Sequence, residues 1–159
     1  LEERKELIRR GCEIVNGRVK VIAGTGMTTA KATIELTNYA ADCGAQWALV
    51  LPPYYHFTTE DGIYEFFKEV AEGSKIGIVI YHTPGSTNVE LSPELIRKLA
   101  QINGIAAVKE TIDETHTSDT YMATRDIPDF CVMEANEPLL LPSYAIGIDA
   151  AFSIIFNVN

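Results

Sequence analysis

The chain has 159 residues, 47% hydrophobic and 22% charged, which suits one soluble domain with a sizeable core. Its formal net charge of -9 argues against a nucleic-acid partner, because phosphate binding needs clusters of Lys and Arg. No apolar run approaches the roughly 20 residues that cross a membrane, so no membrane partner is expected.

The opening LEERKELIRRG is charged, has no apolar h-region, and reads as beginning inside a helix over 1–15 with Leu7, Ile8, Ile14 and Val15 apolar. VKVIAGTG (19–26) then reads as a strand, and Thr28 or Thr29 as the cap of a helix through Ala41 that Gly44 ends. QWALVLPPYY (46–55) follows as a second strand. Residues 58–72 place Ile63, Phe66, Phe67 and Val70 on one helical side, with Gly73 as C-cap. IGIVIYHTP (76–84) is a third strand. Ser92 and Pro93 open a helix whose stripe is Leu95, Ile96, Leu99 and Ile102, closed by Asn103-Gly104. GIAAVKET (104–111), DFCVMEANE (129–137) and DAAFSIIFNVN (149–159) complete the strands. A helix near 117–125 shows little apolar pattern, and one near 138–146 contains Pro142.

The apolar runs do not alternate with polar residues, as expected of parallel strands buried on both faces. Strands alternating with helices over 1–159, with no linker between them, give a single parallel α/β domain. Periodicity alone leaves open whether the sheet closes toward a barrel or is doubly wound. Cys12, Cys43 and Cys131 form no CxxC pair and read as buried thiols outside any disulfide, which fits a reducing compartment and a cytoplasmic location.

In parallel α/β folds the loops after the strand C-termini build the active site. Those positions hold Gly24-Thr25-Gly26, Tyr54-Tyr55-His56, Tyr81-His82-Thr83-Pro84, Lys109-Glu110-Thr111 and Glu134-Ala135-Asn136-Glu137. Lys109 ends the apolar run IAAV, where desolvation disfavours the ammonium form and exposes a nucleophilic amine; a lysine that snorkels to solvent is the plainer alternative. Tyr81 ends the strand before, within reach of proton transfer if its phenol faces that amine, and simple rim packing competes with that role. Gly24-Thr25-Gly26 offers either an anion cradle or a tight turn. His56, His82 and His116 lack metal-ligand spacing and are expected on surfaces or loops. No G-x-S-x-G elbow, HExxH or Walker A is present.

VIAGTG, LVLPPYY, IVIYHTPGSTN and IAAVKET, in this order, resemble the pyruvate-dependent lyases and aldolases of the dihydrodipicolinate synthase and N-acetylneuraminate lyase family. The resemblance covers nearly the whole chain. Its most specific part is Y-x-x-P at Tyr81–Pro84, followed by a strand ending Val108-Lys109-Glu110. It implies a (β/α)8 TIM barrel of which this chain carries strands three to eight, without the first two strands and the C-terminal helices. It implies a class I aldolase or lyase in which Lys109 forms the Schiff base with pyruvate or another 2-keto acid. Tyr81 would transfer protons, and Tyr55 would be donated across a subunit interface of a homodimer or homotetramer. Thr83, Glu134, Phe152 and Ser153 would contact the substrates, a small 2-keto acid and an aldehyde. Neither metal nor organic cofactor is implied.

The chain departs from the family pattern at two points. Ser86 stands two residues after Pro84, where synthases that condense aspartate semialdehyde carry an arginine, so a different aldehyde is expected. Glu134-Ala135-Asn136-Glu137 replaces a Gly-Asp pair. The family's Gly-Thr carboxylate loop is not in the chain, so a non-catalytic paralogue, or a fragment that only binds a keto acid or assembles, is the competing reading. An unrelated nucleotide-binding α/β domain is the other.

Overall fold

The computed structural model describes residues 1–148 and 150–158. Asp149 and Asn159, both in the run read as the last strand, lie outside them. The elements are α1 (Glu2–Val15), β1 (Ile22–Gly24), α2 (Ala30–Asp42), β2 (Trp47–Val50), α3 (Glu60–Gly73), β3 (Gly77–His82), α4 (Pro84–Thr87), α5 (Pro93–Ala100), β4 (Ile105–Glu110), α6 (Glu114–Thr124), β5 (Cys131–Glu134), α7 (Leu140–Ile146) and β6 (Ala150–Ala151). Single 3-10 turns cover Glu137–Leu139 and Ile155–Asn157.

All paired strands are parallel, and their spatial order is the chain order, β1 to β6. A doubly wound sheet reverses its order at a switch point; sequential neighbours throughout are the pattern of a (β/α) barrel wall. Among the described residues β1 and β6 are the two ends of the sheet and do not pair with each other, so the wall is open.

Local chemistry sets the helix starts. Thr29, Thr59 and Ser92 are extended N-caps whose side chains accept the N–H of Ala32, Gly62 and Leu95, each satisfying one orphan donor. Pro93 follows its cap, where no N–H is required. Pro142 is tolerated in α7 for a related reason: it lies in the first turn, just after the 3-10 turn. After α5 the chain turns at Gly104 with φ +97, and the Gly104 carbonyl accepts the Ile78 N–H at 2.8 Å. An L side chain at that φ would be strained.

The main core lies between the sheet and its helices. Val50, Ile78, Ile80, Val108 and Val132 from the strands meet Phe67 and Val70 of α3 and Leu95, Ile96 and Leu99 of α5. A smaller cluster joins Cys12, Ala23, Ala40 and Ala45. The weak pattern of α6 has a structural reason, since its buried residues are Thr117, Thr120 and Thr124. One sequence expectation is corrected. Among the described residues the last run forms a strand at Ala150–Ala151 alone, with Ile154, Ile155, Phe156 and Val158 exposed. On α1, Leu7 and Ile14 are exposed, and the helix packs on α2 and the β1 end of the sheet.

Phe67 is fully buried in the main core. Phe67→Ala is expected to lower stability by about 3–5 kcal/mol, the sum of transfer and cavity terms for a buried aromatic. Denaturant midpoints compared at constant m-value check this.

Candidate active site

Lys109 is the fifth residue of β4, and the ladder sets it opposite Tyr81 on β3 and Met133 on β5. Successive strand residues face opposite sides of a sheet. Ile78, Ile80 and Val108 face the helices and are buried, so Tyr81 and Lys109 project from the other face, that of the barrel interior. Lys109 Nζ lies 4.0 Å from the centroid of the Tyr81 ring and 4.2 Å from that of Phe152. Aromatic faces attract an ammonium by about 0.5–2 kcal/mol, and here they also flank the amine with apolar walls. Among the described residues no carboxylate pairs with Lys109; the lysines in ion pairs are Lys5, Lys68 and Lys75. The site thus presents a half-buried, unpaired primary amine beside a phenol.

Thr83 follows β3 and is half-buried. Its carbonyl accepts the N–H groups of Ser86 and Thr87, both at 3.0 Å, and so starts α4. Ser153 follows Phe152 and donates its hydroxyl to Glu137 Oε1 at 2.9 Å. The Ile154 N–H donates to the same oxygen at 3.0 Å. Tyr55 is not brought to the lysine: it is 76% exposed on the loop after β2, and its ring contact is edge-on to His56. Glu134 is not brought there either. It pairs in register with Glu110 on the helix-facing side, is 1% exposed, and accepts from Ser143 Oγ at 2.8 Å and Asn136 N at 2.7 Å. The strand period turns it away from Lys109, to the side opposite the one expected for a substrate contact. The Gly24-Thr25-Gly26 turn is not an open anion cradle. The Thr25 N–H is taken by the Leu49 carbonyl, the Met27 N–H meets the Thr33 hydroxyl, and Arg4 caps the carbonyls of Gly24 and Gly26.

The model of the Dihydrodipicolinate synthetase family matches residues 1–159. The chain belongs to that family. It is 38% identical to the 4-hydroxy-tetrahydrodipicolinate synthase of Acetivibrio thermocellus over 99% of its own length and 53% of the relative. The crystal structure of dihydrodipicolinate synthase from Aquifex aeolicus superposes with a TM-score of 0.91 at 37% identity, covering 99% of this chain and 54% of that one. A prophage protein of the same family from E. coli K12, solved in complex with pyruvate, gives 0.91 at 33% identity over 96% and 52%. The chain spans about half the length of the relatives it matches. Its open wall of six parallel strands is thus part of the family's barrel fold. No helix among the described residues is long and apolar enough to cross a membrane.

Sequence reading missed what stands behind the strand that carries Lys109. His82 was expected on a surface or loop, yet it is 0% exposed, as is Glu110, and the two are hydrogen-bonded through His82 Nδ1 and Glu110 Oε2 at 2.9 Å. His116, expected likewise, is largely buried beside them, while His56 is exposed. The available signal was the period of two, which groups His82 with Ile78 and Ile80 and sets it apart from Tyr81.

At the other side of the site, the Glu137 carboxyl is held below its ordinary value of 4.5 by its own backbone N–H first, then by the Ser153 hydroxyl and the Ile154 N–H. A depressed folded value stabilises the folded form above the unfolded value, and that contribution is lost as pH falls through the folded value. As pH falls below 4.5 and through that lower folded value, the Ile154 amide is therefore expected to lose hydrogen-exchange protection. In Glu137→Ala that loss should already be complete at neutral pH. An Ile154 amide equally protected in both proteins at pH 7 would contradict the role given to Glu137.

Proposed function

We propose that Lys109 is the Schiff-base lysine of a class I aldolase or lyase acting on pyruvate or a related 2-keto acid. The observation that carries the reading is the placement of Lys109 Nζ between the rings of Tyr81 and Phe152, 4.0 and 4.2 Å away, on the barrel-interior face. Family membership supports it, as does a 33% identical relative solved with pyruvate.

In this reading the neutral amine attacks the C2 carbonyl, and the carbinolamine loses water to give the imine. The protonated imine draws electrons, so a C3 proton leaves and an enamine forms. The enamine adds to an aldehyde carbonyl, making the C–C bond; in the reverse direction that bond breaks. Hydrolysis then returns the lysine. Tyr81 carries protons to and from the carbinolamine oxygen. Thr83, Phe152 and Ser153 line the approach to the amine. Ser86 follows Pro84-Gly85 and offers no cation for a carboxylate-bearing aldehyde, so the partner is a neutral or sugar-type aldehyde. The enzyme acts in the cytoplasm as a homo-oligomer. Tyr54, Tyr55 and Phe57, exposed together on the loop after β2, supply an apolar surface for a second subunit.

Incubation of the full-length protein with pyruvate and borohydride is expected to fix a reduced adduct on Lys109, read by peptide mass mapping, and Lys109→Ala should abolish it. Tyr81→Phe should slow turnover by about 10²–10⁴-fold with the fold intact. Label on another lysine, with Lys109 untouched, would sink the assignment. For the aldehyde, kcat/KM should favour neutral sugar-type aldehydes over aspartate semialdehyde, and the opposite ranking would refute the role given to Ser86.

A further inference from the structure

The strand period that sends Tyr81 and Lys109 to the barrel interior sends the next rung, His82 and Glu110, to the helix side. That rung is the last in both strands, since β3 ends at His82 and β4 at Glu110. A ladder's final rung lacks hydrogen bonds beyond it and is where fraying begins. Here the rung is closed by side chains. His82 Nδ1 meets Glu110 Oε2 at 2.9 Å and Oε1 at 3.2 Å, and the Thr111 hydroxyl donates to the His82 carbonyl at 2.8 Å.

The tautomer follows from the neighbours. The Leu91 N–H donates to His82 Nε2 at 2.9 Å, so Nε2 carries the lone pair and Nδ1 the proton, which goes to Glu110. His116 Nε2 lies 2.9 Å from the Leu91 carbonyl and donates to it. His116 Nδ1 lies 3.7 Å from Glu110 Oε2 and 3.4 Å from the Thr120 hydroxyl. One buried network therefore ties the ends of β3 and β4 to the Leu91 loop and to α6. The ligand atoms of His82, Glu110 and His116 lie within 4.8 Å of one another, which raises a metal site. A metal on His82 Nδ1 would force the proton onto Nε2, donor against donor with the Leu91 N–H. The observed contacts fit a hydrogen-bonded network instead.

We infer that His82 and Glu110 are positioning residues for the reaction at Lys109: their bond across the back of the sheet fixes the rung that carries Tyr81 and Lys109. This rests on the Schiff-base reading above. The phenol and the amine stand on neighbouring strands, so any relative slip or splay of the strand ends separates them directly. A displacement near 1 Å between reacting groups costs about 10²-fold in rate.

Two substitutions separate the two bonds of His82. His82→Asn places an amide N–H near the position of Nδ1, keeping the donor to Glu110 while losing the acceptor for Leu91. His82→Gln places a carbonyl oxygen near the position of Nε2, keeping the Leu91 contact while losing the bond to Glu110. Each leaves one buried group unpaired, the Glu110 carboxyl at the greater cost, so thermal midpoints are measured beside the rates. The readout is borohydride trapping of pyruvate on Lys109 in the full-length protein. The rate constant at saturating pyruvate should fall tenfold or more in His82→Gln, stay within about threefold of the parent in His82→Asn, and show little change in half-saturating pyruvate in either. Equal rates in all three proteins, or equal losses in both variants that track their thermal midpoints, would overturn the inference. Nitrogen-15 NMR of the unsubstituted protein gives a check that needs no variant. His82 should show the Nδ1–H tautomer, and an Nε2–H tautomer overturns the network. A parent that is not labelled at Lys109 overturns the Schiff-base reading itself, an outcome distinct from labelled parent and unaffected variants.

Discussion

In the pairing of β3 with β4, Tyr81 stands opposite Lys109 and His82 opposite Glu110. Because side chains alternate faces, these two rungs serve opposite sides of one sheet. The first supplies an amine and a phenol to the barrel interior; the second supplies a buried acid–imidazole bond to the helix layer. A slip of one residue on either strand would exchange these faces, putting the lysine among the helices and the acid in the interior. The register is set by the core beneath it. Ile78, Ile80 and Val108 are buried against α3 and α5, and the irregularity between Ile78 and Val79 is taken up below the functional rungs, where Ile78 pairs with Ile105 and Val79 with Ala107.

Much of this was legible in the residues. Helix starts at Ser92 and at Thr29 follow from caps that any reader can test, and the structure gives each its predicted kind of bond. The order of apolar runs predicts parallel strands. Periodicity could not choose between a barrel wall and a doubly wound sheet, because both use the same βαβ units; the family resemblance chose, and the sequential strand order agrees. α6 was hard to see because it buries hydroxyls rather than hydrocarbon. The last strand was overestimated because apolar residues over 152–158 read as core, although little packs against them.

The site was legible unevenly, and for one reason. A strand buried on both faces shows no alternation in hydrophobicity, so the sequence does not reveal which face a polar residue takes. Lys109 and Tyr81 could be chosen by position and resemblance. Glu134 was placed on the substrate side when its parity with Glu110 sets it on the other, and His82 was sent to the surface when it is fully buried. Once Ile78 and Ile80 are seen to face the helices, parity places His82 with them. Tyr55 differs in kind: the role expected for it involves a second subunit, and in one chain it is simply exposed.

Behind the lysine, Glu110 and Glu134 are direct register partners, both almost fully buried. A buried carboxyl is costly unless it finds hydrogen-bond partners. The structure answers by giving each acid its own donors: His82 for Glu110, and Ser143 with the Asn136 N–H for Glu134. Each set of donors comes from a different direction, the neighbouring strand in one case and α7 with its preceding turn in the other. Hydrocarbon in this layer would be at least as stable, since buried polar groups cost free energy even when paired. A polar layer is directional where hydrocarbon is not. It tolerates few alternative arrangements of β3, β4 and β5, and it leaves a buried group unpaired whenever a strand end shifts. The ends of these strands also carry Tyr81 and Lys109, so the layer holds the part of the sheet that sets the distance between phenol and amine.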